Sequence, residues 1–125
     1  YRIIDYKTGN GSTDFKNIAQ LFDASNNNRP THILQVFIYA LFYAKENPEK
    51  KLTPAIYYLR SIFSNFNPSV TFKKQKIEDI SSFSDEFIPL FNACLEEIFD
   101  EKAPFTQTQQ EKNCQWCIFK AVCGR

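Results

Sequence analysis

The stretch Tyr1-Arg2-Ile3-Ile4-Asp5-Tyr6-Lys7 decides the predicted fold class. Successive side chains of a β-strand point to opposite faces, so Ile3 and Ile4 would place apolar groups on both faces of a strand. Such a strand is typical of the centre of a sheet that is covered on both sides, as in α/β layer folds. The next residues, 8–12, include two glycines and predict a turn that ends the strand.

Hydrophobic spacing further along the chain predicts helices that alternate with strands. Residues 31–46 are apolar on almost every side and predict a buried helix in the middle of the domain. Residues 84–100 carry apolar side chains at three- and four-residue spacing and predict an amphipathic helix covering one sheet face. From Asp14 onward, the helical spacing of Phe15, Ile18, Ala19 and Phe22 predicts a short amphipathic helix or a helical turn. Segments 55–61 and 70–72 have strand composition, so we expect an α/β fold with at least three strands in its sheet.

Length and composition restrict the class of protein. The chain has 125 residues, of which 43% are hydrophobic and 16% aromatic, which favours one compact domain and excludes a disordered chain. Its 15 Lys and Arg against 14 Asp and Glu leave a net charge of +1, so a nucleic acid would have to meet a local patch. The longest apolar run, 33–44, is shorter than the ~20 residues of a membrane-spanning helix. Tyr1 lies inside a predicted strand with no secretory leader ahead of it, which indicates a piece of a longer, non-secreted protein.

Asp5 and Lys7 are the first candidate functional residues. They are two positions apart on a strand, so their side chains leave the same face about 6.6–7 Å apart. A hard divalent cation prefers oxygen ligands such as the Asp5 carboxylate, and a neighbouring lysine can orient an attacking water or stabilise a developing anion. The alternative is an ordinary solvated ion pair. A charged pair on a buried strand that ends in a glycine turn favours a functional site.

Gln35 and Tyr39 form the second candidate pair. They are four residues apart on the predicted buried helix, so they are neighbours on one face. Gln35 is the strongly polar residue of the apolar run, and its amide needs hydrogen-bond partners. Either the pair faces Asp5 and Lys7, or Gln35 is a core residue satisfied by backbone groups. His32, the single histidine, lies one turn earlier and is assigned no role.

A cysteine cluster near the carboxyl terminus is the third signal. Its spacing is C-x2-C-x5-C, formed by Cys114, Cys117 and Cys123. Thiolates suit an iron–sulfur cluster or zinc, both of which normally take four ligands, and Trp116 and Phe119 could shield the sulfurs. Cys94 could supply a fourth ligand, but its place in an apolar helix stripe favours a buried structural thiol. Disulfides are a further alternative that no secretory context supports.

Taken together, these motifs resemble the PD-(D/E)XK nuclease superfamily. The resemblance is carried by Ile3-Ile4-Asp5-Tyr6-Lys7-Thr8-Gly9, by Gln35-Val36-Phe37-Ile38-Tyr39, by Pro104-Phe105, and by Cys114-Gln115-Trp116-Cys117 with Cys123-Gly124-Arg125. Within the superfamily the chain is most similar to the iron–sulfur nuclease domain of AddB-type subunits of bacterial helicase–nuclease complexes. The resemblance implies a restriction-endonuclease-like mixed sheet flanked by helices, with a cysteine-rich tail.

The resemblance also implies roles for individual residues. Asp5 would bind the catalytic Mg2+ or Mn2+, the backbone carbonyl of Tyr6 would be a further metal ligand, and Lys7 would assist the nucleophilic water. Gln35 and Tyr39 would help to place DNA and the active-site groups. The cysteines would be three of the four ligands of a [4Fe-4S] cluster, in the order Cys114, Cys117 and Cys123.

In this comparison residues 1–125 correspond to the carboxyl-terminal part of one nuclease domain, with a core at 1–105 and a cysteine tail at 106–125. The family's other metal-binding acid and its first cluster cysteine would precede Tyr1. We therefore expect this chain alone to be a poor or inactive nuclease and to hold no complete cluster.

The implied function is metal-dependent exonuclease cleavage of DNA during end processing for recombination or repair. The expected partners are DNA and a helicase subunit or domain in the bacterial cytoplasm. A CRISPR-associated four-cysteine exonuclease is an alternative with the same chemistry. A non-catalytic, zinc-stabilised DNA-binding or scaffolding module is an alternative of another class. The basic run Lys73, Lys74 and Lys76 could meet a DNA backbone, although a solvated face is the favoured interpretation.

Overall fold

A computed structural model describes residues 1–64, 66–104 and 106–125 of the chain. Phe105, the second residue of the Pro104-Phe105 pair and the predicted end of the core, lies outside the described residues. The strands are β1 (Arg2–Lys7), β2 (Asp14–Phe15), β3 (Thr53–Tyr58), β4 (Thr71–Phe72) and β5 (Gln75–Lys76). The α-helices are α1 (Ala19–Phe22), α2 (Thr31–Glu46) and α3 (Ser84–Phe99), and short 3-10 turns cover Leu59–Ser61, Ile80–Phe83 and Glu111–Cys114.

The pairing of β1 with β3 positions the candidate site. The two strands are parallel, with Asp5 opposite Ile56 and Lys7 opposite Tyr58. Parallel neighbours require a crossover connection, which here contains α2. Because paired residues point to the same face, the side chains of Asp5, Lys7 and Tyr58 share one face of this sheet.

The sheet differs from the prediction of one central strand among at least three. In the described residues β1 and β3 form a two-stranded sheet, and β2, β4 and β5 form a separate sheet of three short strands. The expected covering of β1 on both faces is also wrong, because Ile4 is 38% exposed and Tyr6 is 63% exposed. One face of β1 packs against the protein, and the other is open. The wider assignment to a mixed α/β class is confirmed.

The observed limits of α2 and α3 lie close to the predicted ones, whereas those of β3 are shifted. Helix α2 has the predicted limits, and α3 ends one residue before its predicted end. Strand β3 begins at Thr53 and gives way to a 3-10 turn after Tyr58, so the predicted strand at 55–61 was displaced towards the carboxyl terminus.

The short helix or helical turn predicted from Asp14 onward is confirmed at Ala19–Phe22 and wrong at Asp14 and Phe15, which lie in β2. The Asp14 Oδ1 atom accepts hydrogen bonds from the Thr71 hydroxyl at 2.6 Å and from the Lys74 backbone N–H at 2.8 Å. These contacts tie the segment to β4 and to the turn before β5, where Lys73 and Lys74 both have positive φ. Phe15 and Ile18 have helical spacing because both side chains pack into the same core. The long-range hydrogen bonds of Asp14 nevertheless hold this segment in a strand.

An aromatic core lies between α2, α3 and the sheet of β2, β4 and β5. The Phe15 ring meets that of Phe37 edge-on, with centroids 5.2 Å apart, and the Phe37 ring lies 5.7 Å from that of Phe87. Helix α2 buries one face in this core, but Phe42 on its other side is 57% exposed, so the helix is not enclosed on all sides as predicted. In the described part of the chain, no helix has the length and apolar character needed to cross a membrane.

Replacing Asp14 with Asn should lower the free energy of unfolding at neutral pH by about 1 kcal/mol, because its hydrogen bonds lose their charge assistance. Partial burial acts to raise the pKa of Asp14, but the bonds from Thr71 and Lys74 outweigh it and lower this pKa from the ordinary 3.8. A lowered folded-state pKa means that the stabilisation is present above the unfolded-state value and is lost as the pH falls through the folded-state value. Urea denaturation should therefore show the difference between wild type and Asp14→Asn shrinking below pH 3.8.

The control for this measurement is Glu101→Gln, which removes an exposed carboxylate after α3. This variant should differ from wild type by less than about 0.5 kcal/mol at every pH. An Asp14→Asn protein that is as stable as wild type at neutral pH would contradict the role given to Asp14.

Candidate active site

The inner face of β1 presents an acid and a base side by side. The Lys7 Nζ atom lies 3.0 Å from the Asp5 Oδ2 atom, and the two side chains are 20% and 12% exposed. Both side chains point from the same face of the strand, as the two-residue spacing predicts. This ion pair is therefore withdrawn from solvent but still reachable, which is the usual setting of a reactive site.

Helix α2 brings two further polar side chains to this pair. The Lys7 Nζ atom donates a hydrogen bond to the Gln35 Oε1 atom at 2.5 Å. The Gln35 Nε2 atom in turn donates to the Tyr39 hydroxyl, also at 2.5 Å. The four candidate residues thus form one connected row, and Gln35 has side-chain partners rather than the backbone partners of the alternative interpretation. The catalytic roles assigned to the row stay predictions.

The Asp5 carboxylate has an oxygen suited to a cation. Its Oδ2 atom is buried and, apart from the ion-pair contact with Lys7, makes no hydrogen bond. The Lys7 ammonium compensates this oxygen, which is also a hard donor of the kind that Mg2+ and Mn2+ prefer. Within the described residues no group of three or more His, Cys, Asp or Glu side chains could hold a metal. The described residues therefore do not form a metal centre by themselves, and the metal role of Asp5 stays a prediction.

Tyr6 lies between the acid and the base but points away from them. Its side chain is on the opposite, open face of β1, where its ring centroid lies 5.6 Å from that of Tyr57. Any part that Tyr6 takes in metal binding must therefore come from its backbone carbonyl rather than from its phenol.

His32 and Tyr58 form a second pair beside the row, and the sequence assigned neither a role. The His32 Nδ1 atom and the Tyr58 hydroxyl are 2.9 Å apart. Burial, and secondly the negative charge of Asp5, raises the pKa of Tyr58. The signal that could have identified His32 is its position three residues before Gln35, which places both on one face of α2. Tyr58 became evident only from the strand register, which sets it opposite Lys7.

The carboxyl-terminal cysteines are not brought together as a metal site. Cys117 and Cys123 are exposed, Cys114 is half-buried, and all three are free thiols. Their surroundings also differ from the prediction, because Trp116 is 88% exposed and Phe119 is 62% exposed. These rings lie in solvent instead of shielding the sulfurs, and within the described residues the three thiols do not form a metal site.

The prediction of Cys94 as a buried thiol is wrong, because this residue is exposed. In α3 the fully buried residue is Phe87, while Leu90, Phe91 and Leu95 are half-buried. The helix lies on the surface and buries only a narrow stripe, so a residue at the margin of its apolar pattern faces solvent.

Comparison with known proteins gives the class to which this fold and this site belong. A protein-family model for the PD-(D/E)XK nuclease superfamily matches residues 1–124. The chain therefore belongs to the PD-(D/E)XK nuclease superfamily, and its function is that of a nuclease. No curated protein and no solved structure matches the chain.

The hydrogen bond between Gln35 and Tyr39 can be measured by a double-mutant cycle on protein stability. Gln35→Leu and Tyr39→Phe remove the same bond, so their combined effect should fall short of the sum of the single effects by about 0.5–1 kcal/mol. The free energy of unfolding in urea gives all four values.

Tyr43→Phe is the matched control for this cycle. Tyr43 lies one turn after Tyr39, but its hydroxyl accepts from the Lys50 ammonium at 3.2 Å and not from Gln35. Its coupling to Gln35→Leu should be within about 0.3 kcal/mol of zero. Equal coupling energies in both cycles would show that the Gln35–Tyr39 hydrogen bond contributes nothing specific to the free energy of unfolding.

Proposed function

We propose that the chain hydrolyses phosphodiester bonds of DNA with the help of Mg2+ or Mn2+, using Asp5, Lys7, Gln35 and Tyr39. The observation that carries the proposal is the connected row of contacts from the Asp5 carboxylate through Lys7 and Gln35 to the Tyr39 hydroxyl. Membership of a nuclease superfamily supports the reaction class.

Lys7 would act on the water or on the developing charge of the phosphate. An ammonium group has three N–H donors, of which Gln35 takes one and Asp5 draws a second towards itself. A third donor is left for a substrate oxygen. The partial burial of Lys7 strengthens that interaction, because charge interactions weaken with exposure to water.

Gln35 and Tyr39 would position the reacting groups. The Gln35 amide holds the Lys7 ammonium in place through its oxygen and the Tyr39 hydroxyl through its nitrogen. Because the Tyr39 hydroxyl accepts from Gln35, its own O–H is free to donate to a phosphate oxygen. Tyr39 is 47% exposed, so a nucleic acid can reach it.

Asp5, with the backbone carbonyl of Tyr6, would hold the divalent cation. A cation bound there supplies charge stabilisation and lowers the pKa of a coordinated water. One carboxylate is a small donor set for such an ion. We therefore propose that this chain alone binds the metal weakly and cleaves DNA slowly or not at all.

Metal binding and cleavage test this proposal separately. Titration with Mn2+, followed by electron paramagnetic resonance, should give a dissociation constant that rises at least about tenfold in Asp5→Asn, because the charged ligand is lost. Cleavage of a fluorescent oligonucleotide by the longer protein that contains this chain should require the metal, stop in EDTA, and fall at least about 100-fold in Lys7→Ala.

Two variants serve as matched controls. Glu78→Gln removes the carboxylate of another ion pair whose partners are two residues apart in the sequence. In this pair the Lys76 Nζ and Glu78 Oε1 atoms are 3.5 Å apart. Lys50→Ala removes a lysine whose side chain is 22% exposed, close to the value for Lys7. Both should bind and cleave as wild type does. Unchanged Mn2+ binding by Asp5→Asn would overturn the metal site, and metal-dependent cleavage that persists in Lys7→Ala would overturn the catalytic assignment.

For the cysteines we propose that Cys114, Cys117 and Cys123 are three ligands of a [4Fe-4S] cluster whose fourth cysteine lies outside this chain. The support is their C-x2-C-x5-C spacing and the resemblance to iron–sulfur nucleases. The structure of the tail does not gather them, and three thiolates are one short of a full set.

Iron analysis tests the cluster proposal. Protein made without oxygen and reconstituted with iron and sulfide should hold less than one cluster per chain, and Cys117→Ser should lower that amount further. A protein containing the additional cysteine should be brown. Colourless, zinc-loaded protein would contradict the cluster and favour a zinc-stabilised module.

We propose, on the motif resemblance, a role in DNA-end processing during recombination or repair, together with a helicase subunit or domain in the bacterial cytoplasm. The motifs Asp5-Tyr6-Lys7-Thr8-Gly9 and Cys123-Gly124-Arg125 favour this role over that of a CRISPR-associated exonuclease. Purification of the chain with a helicase from the same cell would support this partner.

A further inference from the structure

A cavity of about 380 Å³ adjoins the row of candidate catalytic residues. It lies between the loop after β1, the start of α2 and the end of β3. Among the residues that line it are Asn10, Gly11, Ser12, Arg29, His32 and Tyr58.

The cavity continues the row because it shares elements with it. His32 is one helical turn before Gln35 on α2, which is about 4.5 Å along the helix axis. Tyr58 is the strand partner of Lys7, and Asn10 follows Lys7 by three residues. A group bound in the cavity would therefore lie close to a phosphate held at Lys7.

The lining suits an anion. None of the residues that line the cavity is acidic, while Arg29 brings a positive charge and the loop brings amide and hydroxyl donors. Asp23 is outside the lining; the charge of Arg29 acts on its carboxylate, which also accepts from the Ser25 hydroxyl and backbone N–H. Guanidinium and imidazole N–H groups are common ligands of phosphate oxygens.

Tyr58 fixes the orientation of the His32 ring. Its raised pKa keeps the Tyr58 hydroxyl protonated at neutral pH. When this hydroxyl donates to the Nδ1 atom, the proton of neutral His32 is on Nε2, and the ring offers an Nε2–H donor to the cavity. When Nδ1–H donates to the hydroxyl instead, a neutral ring has no proton on Nε2, and only the protonated ring donates there.

Gly11 makes this arrangement possible. A Cβ atom at position 11 would overlap the Tyr58 hydroxyl, so a glycine is required where the loop crosses the ring. Tyr58 is 1% exposed and cannot move out of the way without disturbing the core. Gly11, Tyr58 and His32 therefore pack against one another on one side of the cavity.

We propose that this cavity binds a backbone phosphodiester of the nucleic acid, next to the bond that is cleaved, through Arg29 and the ring of His32. The inference rests on the proposed function, because it extends the substrate path from the same site. Inorganic phosphate has the same oxygen chemistry, and the experiment below separates the two sources.

His32 is the single histidine of the chain, so its ring gives an isolated NMR signal. A short oligothymidylate is added in EDTA, which prevents metal-dependent cleavage, and the ring signals of His32 are followed. They should shift and saturate. Inorganic phosphate should shift them only at much higher concentration, because it lacks the contacts of the neighbouring nucleotides. Arg29→Gln should weaken oligothymidylate binding about tenfold.

Arg60→Gln is the matched control, since Arg60 is an exposed arginine in the turn after β3, outside the cavity lining. It should bind as wild type does. Oligothymidylate that leaves the His32 signals unmoved would overturn the subsite, as would equal weakening by the two arginine variants. Inorganic phosphate that binds as tightly as the oligonucleotide would also overturn it.

Lys7→Ala separates this inference from the proposed function. The variant removes a proposed catalytic group but no residue of the cavity lining, so the His32 shift should persist in it. If wild-type protein shows the shift yet cleavage does not depend on Lys7, the subsite stands and the catalytic proposal fails. If cleavage depends on Lys7 while the His32 signals never move, the reverse holds.

Discussion

The hydrogen bond from Lys7 to Gln35 is the contact on which the candidate site depends. It joins the carboxyl end of β1 to the inner face of α2, two elements that are 28 residues apart in the chain. The parallel pairing of β1 with β3 sets the direction in which Lys7 leaves the sheet, and the aromatic core sets the face that α2 turns towards it. If either were displaced by one residue, Lys7 or Gln35 would point away from the other.

Stability alone does not explain why a charged pair lies in this position. Removing Asp5 and Lys7 from most of their water costs free energy, and ion pairs of this kind return little net stability. The hydrogen bonds from Lys7 to Gln35 and from Gln35 to Tyr39 offset part of that cost. They also connect the ion pair to Tyr39, which is partly exposed. Arrangements of this type are typical of sites that use their charge, in agreement with the nuclease superfamily to which the chain belongs.

Much of the framework followed from local pattern. The limits of α2 agree with the prediction because its apolar run is long and ends at Asn47-Pro48. The failures share a cause, which is contact with residues far away in the sequence. Phe15 has helical spacing but lies in a strand because Asp14 bonds to Thr71 and Lys74. Trp116 and Phe119 were expected to pack around the cysteines but are exposed. The apolar character of a side chain does not determine which residues it packs against.

The sequence by itself determined that Asp5 and Lys7 share a strand face and that Gln35 and Tyr39 share a helix face, because these periodicities belong to the backbone. Only the tertiary structure decided that the two faces meet. It also decided that the His32–Tyr58 pair lies beside the row, because Tyr58 reaches that position through its pairing with Lys7. Strand pairing across about 50 residues leaves no local trace in the sequence. The open face of β1 was decided in the same way, since burial depends on what packs against a strand and not on its own residues.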